Sequence, residues 1–312
     1  NLSVVPIHDL IMKNDDVCVA THGRSFWIMD RISPLRALTP TMKDEATILP
    51  SFGSGVQYPA GMATQGTSRN PMGGLLIDYY LPTQAEKVEL TVQDAKGVVL
   101  GRAVSASNRL GLNRTQIQLR YAATATTGVR MWGGGPSTLR VPPGEYYVKL
   151  ALDGKVIEGK VTWQKDPRTT ASDADLVEQY RFSRQISDRL QNAMDLLGAT
   201  RKAKERFTTL SKGLKETPPE VTKAVAFVKE VEEALDQVNA KSGQDFLNYP
   251  VKLINKIASL LGTAQGGPYR PTSGMYVVLV MLDAQLMDLE AKWKKGQVDV
   301  IYPALEKLRK RV

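Results

Sequence analysis

The two histidines, His8 and His22, are the first candidates for chemistry, because imidazole can bind a metal or exchange a proton near neutral pH. With Asp9 they could form a metal site if neighbouring strands brought them together, but the usual metal-ligand spacings are missing from the sequence. A Ser-His-Asp triad would need one of the same histidines, and the chain has no G-x-S-x-G motif. A structural role for both histidines is therefore favoured. No catalytic residue, cofactor or metal is predicted.

Carboxylates near the N-terminus could supply the pair that a glycoside hydrolase requires: Asp9, Asp15, Asp16 and Asp30. The separation of the two carboxyl groups decides between retaining and inverting chemistry, and a sequence does not give that distance. Acidic residues are also common at the ends of strands. The pattern is therefore interpreted as structural rather than catalytic.

The segment between residues 132 and 147 holds two further candidates. The "GGG" at 133–135 lacks the downstream G-K-[ST] of a phosphate loop and precedes no helix, so it is predicted to be a turn. Trp132, Tyr146 and Tyr147 could form an exposed aromatic platform that binds a glycan or a protein. The alternative, in which these rings cover a β core, is favoured.

Composition limits the other classes of function. The net charge of +9 is spread over both halves, and no nucleic-acid motif accompanies the short basic runs, so a nucleic-acid partner is not predicted. The single cysteine, Cys18, excludes an internal disulfide. The longest apolar runs are too short to span a membrane. The chain starts at Asn1 without an initiator Met or a signal peptide, which we interpret as a processed product or a fragment.

The elements that would position the histidines are short strands. Residues 5–13, 16–21 and 25–30 alternate like strands, and the turn residues "ND" and "HGR" separate them. An isolated sheet of this size could not cover both of its faces. A β-propeller blade, which packs between other blades, fits residues 1–40. Residues 41–72 lack periodicity and are rich in Gly, Pro, Ser and Thr, which predicts a linker or a packed crossover segment.

The rest of the chain divides into a β region and an α region. Short strands with frequent turns in 73–168, including a hairpin at Asp153-Gly154, predict an antiparallel β-sandwich of immunoglobulin-like size. From residue 169 apolar residues recur at helical spacing, which predicts an antiparallel helical bundle over 169–312. Ser172 and Asp175 form a capping box, Pro218 and Pro219 open a second helix, and a last helix is expected near Pro303.

The order of these motifs resembles the C-terminal region of bacterial exported sortilin-like, BNR-repeat β-propeller proteins, which are often labelled glycosyl hydrolases. The segments that carry the resemblance are "ATHGRSFWIMD", "PPGEYYVKLALDGKVIEGKVTWQKDPR" and the start of the helical tail, "DPRTTASDADL". The resemblance implies a last propeller blade, a FlgD- or fibronectin-like sandwich and a helical tail. Ser25 and Arg31 depart from the family pattern, which prefers Gly and Asp at these positions.

Within the implied blade, the residues that match are expected to shape strands and turns. Gly23 would take the demanding backbone angle of a tight turn, and His22 and Arg24 would bond neighbouring backbone. The full set of expected turn and blade residues is His8, Asp9, His22, Gly23, Arg24, Trp27 and Asp30.

The resemblance and the absence of a catalytic motif together predict a non-catalytic interaction or scaffolding portion of a larger exported protein. Its partners would be upstream propeller blades or another protein chain, outside the cytoplasm. Two alternatives stay open. The region could support a glycoside hydrolase whose catalytic face lies in upstream blades, or it could be a subunit of a large extracytoplasmic assembly. Fold alone does not decide among them.

Overall fold

The computed structural model describes residues 2–54, 74–104, 106–129, 131–132, 138–212, 214 and 216–309, with backbone alone at 51–54. Strands precede helices along the chain, and the secondary structure is mixed, with 42% helix and 25% strand. The chain forms two compact units. The sheet unit is made of Asn1–Arg120 and Val141–Arg168, and the helical unit of Tyr121–Arg140 and Thr169–Val312.

The chain begins with a three-stranded antiparallel sheet, which we call the N-terminal sheet. Its strands are β1 (Ile7–Lys13), β2 (Asp16–Thr21) and β3 (Phe26–Met29), in the order β1-β2-β3. These strands match the three that the alternating pattern predicts. Asn14, in the tight turn between β1 and β2, has a φ of +56°, a conformation that Asn adopts more readily than most residues. A short helix, α1 (Ser33–Arg36), follows.

An eight-stranded sheet forms the larger part of the sheet unit. Its strands are β4 (Thr47–Ile48), β5 (Ser51–Ser54), β6 (Gly74–Leu81), β7 (Val88–Gln93), β8 (Val99–Ala103), β9 (Gly111–Ile117), β12 (Gly144–Leu152) and β13 (Lys155–Gln164). The order is β4-β6-β5-β13-β12-β7-β8, and β9 pairs with β6. The pairs formed among the strands of residues 73–168 are antiparallel, and the pairing of β5, from the segment predicted as a linker or crossover, with β13 is parallel. Alternate residues of β7 and β12, such as Leu90 and Leu150, are fully buried and form the core.

The hairpin between β12 and β13 turns at Asp153-Gly154, as the sequence predicts. Asp153 has a φ of +42° and Gly154 a φ of +90°, so both turn residues are left-handed, as a type I′ turn requires. The Asp153 carboxylate accepts hydrogen bonds from the backbone N–H groups of Glu86 and Lys87. The turn is thereby fixed to the chain that enters β7.

The helical unit contains α2 (Asp173–Leu210), α3 (Pro219–Leu235), α4 (Leu253–Ala264), α5 (Ser273–Gly296) and α6 (Tyr302–Arg309), with a 3₁₀ turn at Gly243–Leu247. The predicted capping box is present, because the Ser172 side chain accepts from the Asp175 N–H and the Asp175 side chain accepts from the Ser172 N–H. The helices pack through buried aliphatic and aromatic residues, among them Phe182, Ile186 and Val228.

The last helix, α6, begins beside Pro303, where the sequence predicts it, and a π-helical segment, Gln297–Ile301, joins it to α5. In an α-helix the Pro303 ring would clash with the carbonyl of Asp299. The wider π turn avoids this clash, and Tyr302 N–H donates to the Gln297 carbonyl. The helical chain is therefore continuous from α5 through the proline into α6.

The segment 121–140 packs within the helical unit. It carries β10 (Tyr121–Ala122) and β11 (Thr138–Leu139), which pair with each other. The Thr124 hydroxyl donates to the Ser187 carbonyl at 2.7 Å, and Arg140 N–H donates to the Gln265 side chain at 2.7 Å. The ring of Tyr121 lies 4.5 Å from the ring of Tyr180. These contacts join the segment to α2 and to the end of α4.

Candidate interaction surface at the N-terminal sheet

The N-terminal sheet is apolar on both faces. Residues that pair across an antiparallel sheet share a face, and successive rows alternate between faces. One face carries two rows, Leu10–Val19–Trp27 and Met12–Val17–Met29. The other face carries Ile11–Cys18–Ile28 and the Ala20–Phe26 pair, with Asp9 at one end and the Lys13–Asp16 pair at the other. An antiparallel sheet with one face in water would be polar on that face, so this pattern is typical of a sheet that is covered on both sides.

The outer strands leave this apolar surface open. Phe26 is 77% exposed, Ile28 61%, Leu10 56% and Ile11 55%, whereas every residue of β2 is half-buried between its neighbours. Large apolar side chains that are exposed singly are ordinary on protein surfaces, but a contiguous set of them marks an interaction site. The N-terminal sheet is such a set.

The "THGRS" turn connects β2 to β3 and sets the direction in which β3 pairs with β2. Gly23 has a φ of +69° and Ser25 a φ of +62°, so two residues of the turn are left-handed. Both the N–H and the hydroxyl of Thr21 donate to the Ser25 carbonyl, and the Trp27 indole N–H donates to the Arg24 carbonyl at 3.1 Å. Glycine would adopt the left-handed backbone found at Ser25 at lower cost than serine does.

The two histidines lie side by side at one end of the sheet. The centroids of their rings are 5.0 Å apart. The backbone N–H of His22 donates to the backbone carbonyl of Pro6 at 2.9 Å. The strand register shifts between Ile7 and Asp9, so His8 occupies an irregularity of β1. The Asp9 carboxylate accepts from the Leu10 N–H at 2.8 Å. Within the described part of the chain, no group of three or more His, Cys, Asp or Glu side chains could hold a metal ion.

Asp15 and Asp16 bind the chain that follows β3, at the end of the sheet. Asp15 accepts hydrogen bonds from the hydroxyl of Ser33, at 2.6 Å, and from its N–H, and the hydroxyl contact is the main cause that lowers the pKa of this carboxyl. Asp16 accepts from the N–H of Arg31 at 2.9 Å. Both carboxylates therefore hold the chain after β3 against the β1–β2 turn.

A buried ion cluster, which we call the Asp78 cluster, was not found by the sequence reasoning. Asp78 on β6 is 1% exposed and binds two guanidinium groups, with Arg114 Nε at 2.6 Å from Oδ1 and Arg31 Nη2 at 3.4 Å from Oδ2. Arg114 also donates to the carbonyls of Asp30 and Arg31. Burial lowers the pKa of the Arg31 guanidinium and the Asp78 charge opposes this shift. The cluster connects the N-terminal sheet to the larger sheet.

The aromatic residues that could form a platform differ in exposure. Tyr146 is 5% exposed and its hydroxyl donates to the Pro142 carbonyl at 2.7 Å, so this ring belongs to the core of the sheet unit, as the favoured alternative holds. Tyr147 is 39% exposed on the opposite side of β12. Trp132, in the helical unit, is 46% exposed and its ring lies 5.8 Å from that of Phe246. The "GGG" at 133–135 lies outside the described residues.

Comparisons with known proteins leave the chain without a family. No protein-family model matches it, and no curated protein does. Among solved structures it is similar to one named pT26-6p, with 11% sequence identity over 71% of this chain and a TM-score of 0.15. The match spans 46% of that protein's chain. A similarity this low carries no argument about fold or function.

None of the helices in the described residues is long and apolar enough to cross a bilayer.

Proposed function

We propose that the chain is a non-catalytic interaction or scaffolding portion of a larger protein, and that the N-terminal sheet is a β-propeller blade covered by other blades. In this proposal the eight-stranded sheet is an immunoglobulin-like sandwich that follows the propeller, and the helical unit is a bundle that binds a partner or caps the assembly. The location outside the cytoplasm follows from the resemblance to exported propeller proteins.

The observation that carries the proposal is the apolar character of both faces of the N-terminal sheet. A propeller packs its blades face to face around an axis, so each blade needs two apolar faces. Rows such as Ile11–Cys18–Ile28 and Met12–Val17–Met29, on opposite faces, meet this need. Exposure of these rows in water would cost about 25 cal/mol for each Å² of apolar surface, which favours a covering partner.

The edges of the sheet support the same proposal. Blades usually contain four strands, and the order β1-β2-β3 holds three, so β1 and β3 are both edge strands among the residues that the structure describes. A strand supplied by another segment would pair with one of them and satisfy its open backbone groups. The preceding blade or a separate chain would provide that strand.

The carboxylate geometry favours interaction over hydrolysis. Asp15 binds Ser33 and Asp16 binds the backbone of Arg31, so both carboxylates serve the local fold. Asp9 binds the N–H of the next residue. In this proposal, any glycoside hydrolysis by a longer protein would use residues of upstream propeller blades.

The experiment that tests the proposal places charge on one face of the sheet. The double variant Ile11→Lys/Ile28→Lys changes two exposed residues of one row, and we expect its free energy of unfolding to stay within about 0.5 kcal/mol of wild type. Binding of the hydrophobic dye ANS by the 312-residue chain should fall, because the open apolar face is lost.

The matched control is Val156→Lys, at a residue of β13 that is 60% exposed and lies outside the N-terminal sheet. This variant should keep both the dye binding and the stability of wild type. A loss of several kcal/mol in the Ile11→Lys/Ile28→Lys variant would contradict the proposal, because it would mean that this chain itself already covers the face.

A further inference from the structure

An open cleft lies within the helical unit between the C-terminal part of α2 and the end of α6, and we call it the α2–α6 cleft. Its volume is about 550 Å³, which is within the usual range of small-molecule sites. Steps of three and four residues separate its members on α2, so they share one face of that helix. The lining consists of Lys202, Glu205, Arg206, Thr209 and Leu210 of α2 and Arg309 of α6.

The three cations of the cleft are not neutralised by the protein. Among the residues that the structure describes, none of the three forms an ion pair, and Glu205 pairs with none of them. The neighbouring cations on the α3 side of α2 are different, because Arg201 and Lys204 bind the Glu232 carboxylate at 3.3 and 2.6 Å. The chain therefore supplies a carboxylate where α2 faces α3 and none where it faces the cleft.

The helix dipole does not explain the two cations on α2. A helix attracts cations within its last turn, and the last turn of α2, which ends at Leu210, holds no basic residue. Of the three cations only Arg309 lies in the last turn of its helix. Lys202 and Arg206 are four positions apart, a spacing at which like charges destabilise a helix. An anion bound among the three side chains would relieve this repulsion.

We propose that the α2–α6 cleft binds a small ligand whose charged group is a phosphate monoester. Three cations less one carboxylate leave the cleft a net charge of +2, and a phosphate monoester carries about −1.5 to −2 at pH 7. The planar guanidinium groups of Arg206 and Arg309 suit bidentate hydrogen bonds to phosphate oxygens, and Lys202 adds a compact charge. The Thr209 hydroxyl can donate one further hydrogen bond.

The other two lining residues favour an organic phosphate over the bare ion. The Glu205 carboxylate is a hydrogen-bond acceptor, so it would repel an anion and would accept from a hydroxyl group of the ligand. Leu210 offers an apolar contact to the carbon skeleton. A short hydroxylated chain that ends in a phosphate, such as glycerol 3-phosphate, meets both conditions.

Calorimetric titration of the 312-residue chain with glycerol 3-phosphate at low ionic strength tests the site. The wild type should bind one molecule per chain. The variant Lys202→Gln/Arg206→Gln should raise the dissociation constant at least about tenfold, because two charge-assisted contacts are lost. The matched control Lys294→Gln/Lys295→Gln removes the same charge from exposed positions on α5 and should bind like the wild type. Equal weakening in both variants would overturn the inference, because the ligand would then respond only to the overall charge.

Thermal unfolding separates a ligand site from a structural role of the same cations. At low ionic strength the melting temperature of the Lys202→Gln/Arg206→Gln variant should equal or exceed that of the wild type, because a repulsive pair is removed. Glycerol 3-phosphate should raise the melting temperature of the wild type and leave that of the variant unchanged. A melting temperature several degrees below wild type would overturn the inference, since the two cations would then stabilise the fold itself.

Lipid vesicles distinguish a free ligand from a lipid headgroup that carries the same phosphate monoester. Phosphatidylcholine vesicles that contain phosphatidic acid present this group at a membrane surface, and vesicles of phosphatidylcholine alone are the control. Binding of glycerol 3-phosphate in solution identifies a free ligand. Sedimentation with the phosphatidic acid vesicles that is lost in the Lys202→Gln/Arg206→Gln variant identifies a headgroup, and both results support the site. A chain that binds neither glycerol 3-phosphate nor these vesicles would overturn the inference.

Discussion

Replacing Asp78 by asparagine is expected to lower the free energy of unfolding by about 3 kcal/mol, because the change leaves a buried guanidinium without its counter-charge. The Arg31 side chain is 10% exposed and cannot turn to water, while that of Arg114 is 36% exposed and can regain part of its hydration. Urea unfolding of the Asp78→Asn variant, followed by circular dichroism, measures the loss.

The control for this prediction is Asp44→Asn, which removes the same charge from an exposed site and should change stability by less than about 0.5 kcal/mol. The double variant Asp78→Leu/Arg31→Met removes both buried charges and should be more stable than Asp78→Asn alone. Equal losses in the Asp78→Asn and Asp44→Asn variants would show that the cluster does not stabilise the sheet unit.

Replacing Gly296 by alanine is expected to destabilise the helical unit by about 2 kcal/mol, because the new Cβ would overlap the ring of Phe227 on α3. The same ring lies 6.0 Å from that of Trp293, which is buried one turn earlier on α5, so it has little room to move. Thermal unfolding of the variant measures the effect.

Gly198 in the middle of α2 provides the matched control, since a Cβ there meets no atom within 4 Å. Gly198→Ala should stabilise the protein by about 0.5–1 kcal/mol, as expected for glycine replaced in an open helix position. In a Phe227→Ala background, Gly296→Ala should cost little, because the overlapping ring is gone. A loss of equal size in both backgrounds would locate its cause away from Phe227.

Much of the local structure could be predicted from the sequence because its causes are local. The alternation in "DVCVAT", the turn at Asp153-Gly154 and the capping box at Ser172 each depend on residues within a few positions of one another. The last helix was predicted near Pro303, where α6 begins, but the π turn at Gln297–Ile301 that joins it to α5 was not, since a proline normally interrupts a helix.

The Asp78 cluster could not be found in the same way. Its members, Arg31, Asp78 and Arg114, are separated by 47 and 36 positions, and each is an ordinary charged residue in its own segment. Similarly, the contact between Thr124 and Ser187 joins a loop to a helix across 63 positions. Such contacts depend on how whole elements pack, and a periodic pattern carries no information about that.

The uncovered faces of the N-terminal sheet could be predicted from the sequence. The strand pattern of residues 5–30 indicated a sheet too small to cover its own faces, which is the feature that the exposed Phe26 and Ile28 display.

Hydroxyl-radical footprinting of the segment Phe26–Met29 tests the central claim most directly. The experiment compares the isolated 312-residue chain with the protein purified from its source, and mass spectrometry reads the oxidation of this peptide. A blade covered by other blades predicts strong labelling in the isolated chain and several-fold weaker labelling in the native protein. Equal, strong labelling in both would mean that nothing covers the N-terminal sheet and would contradict the account.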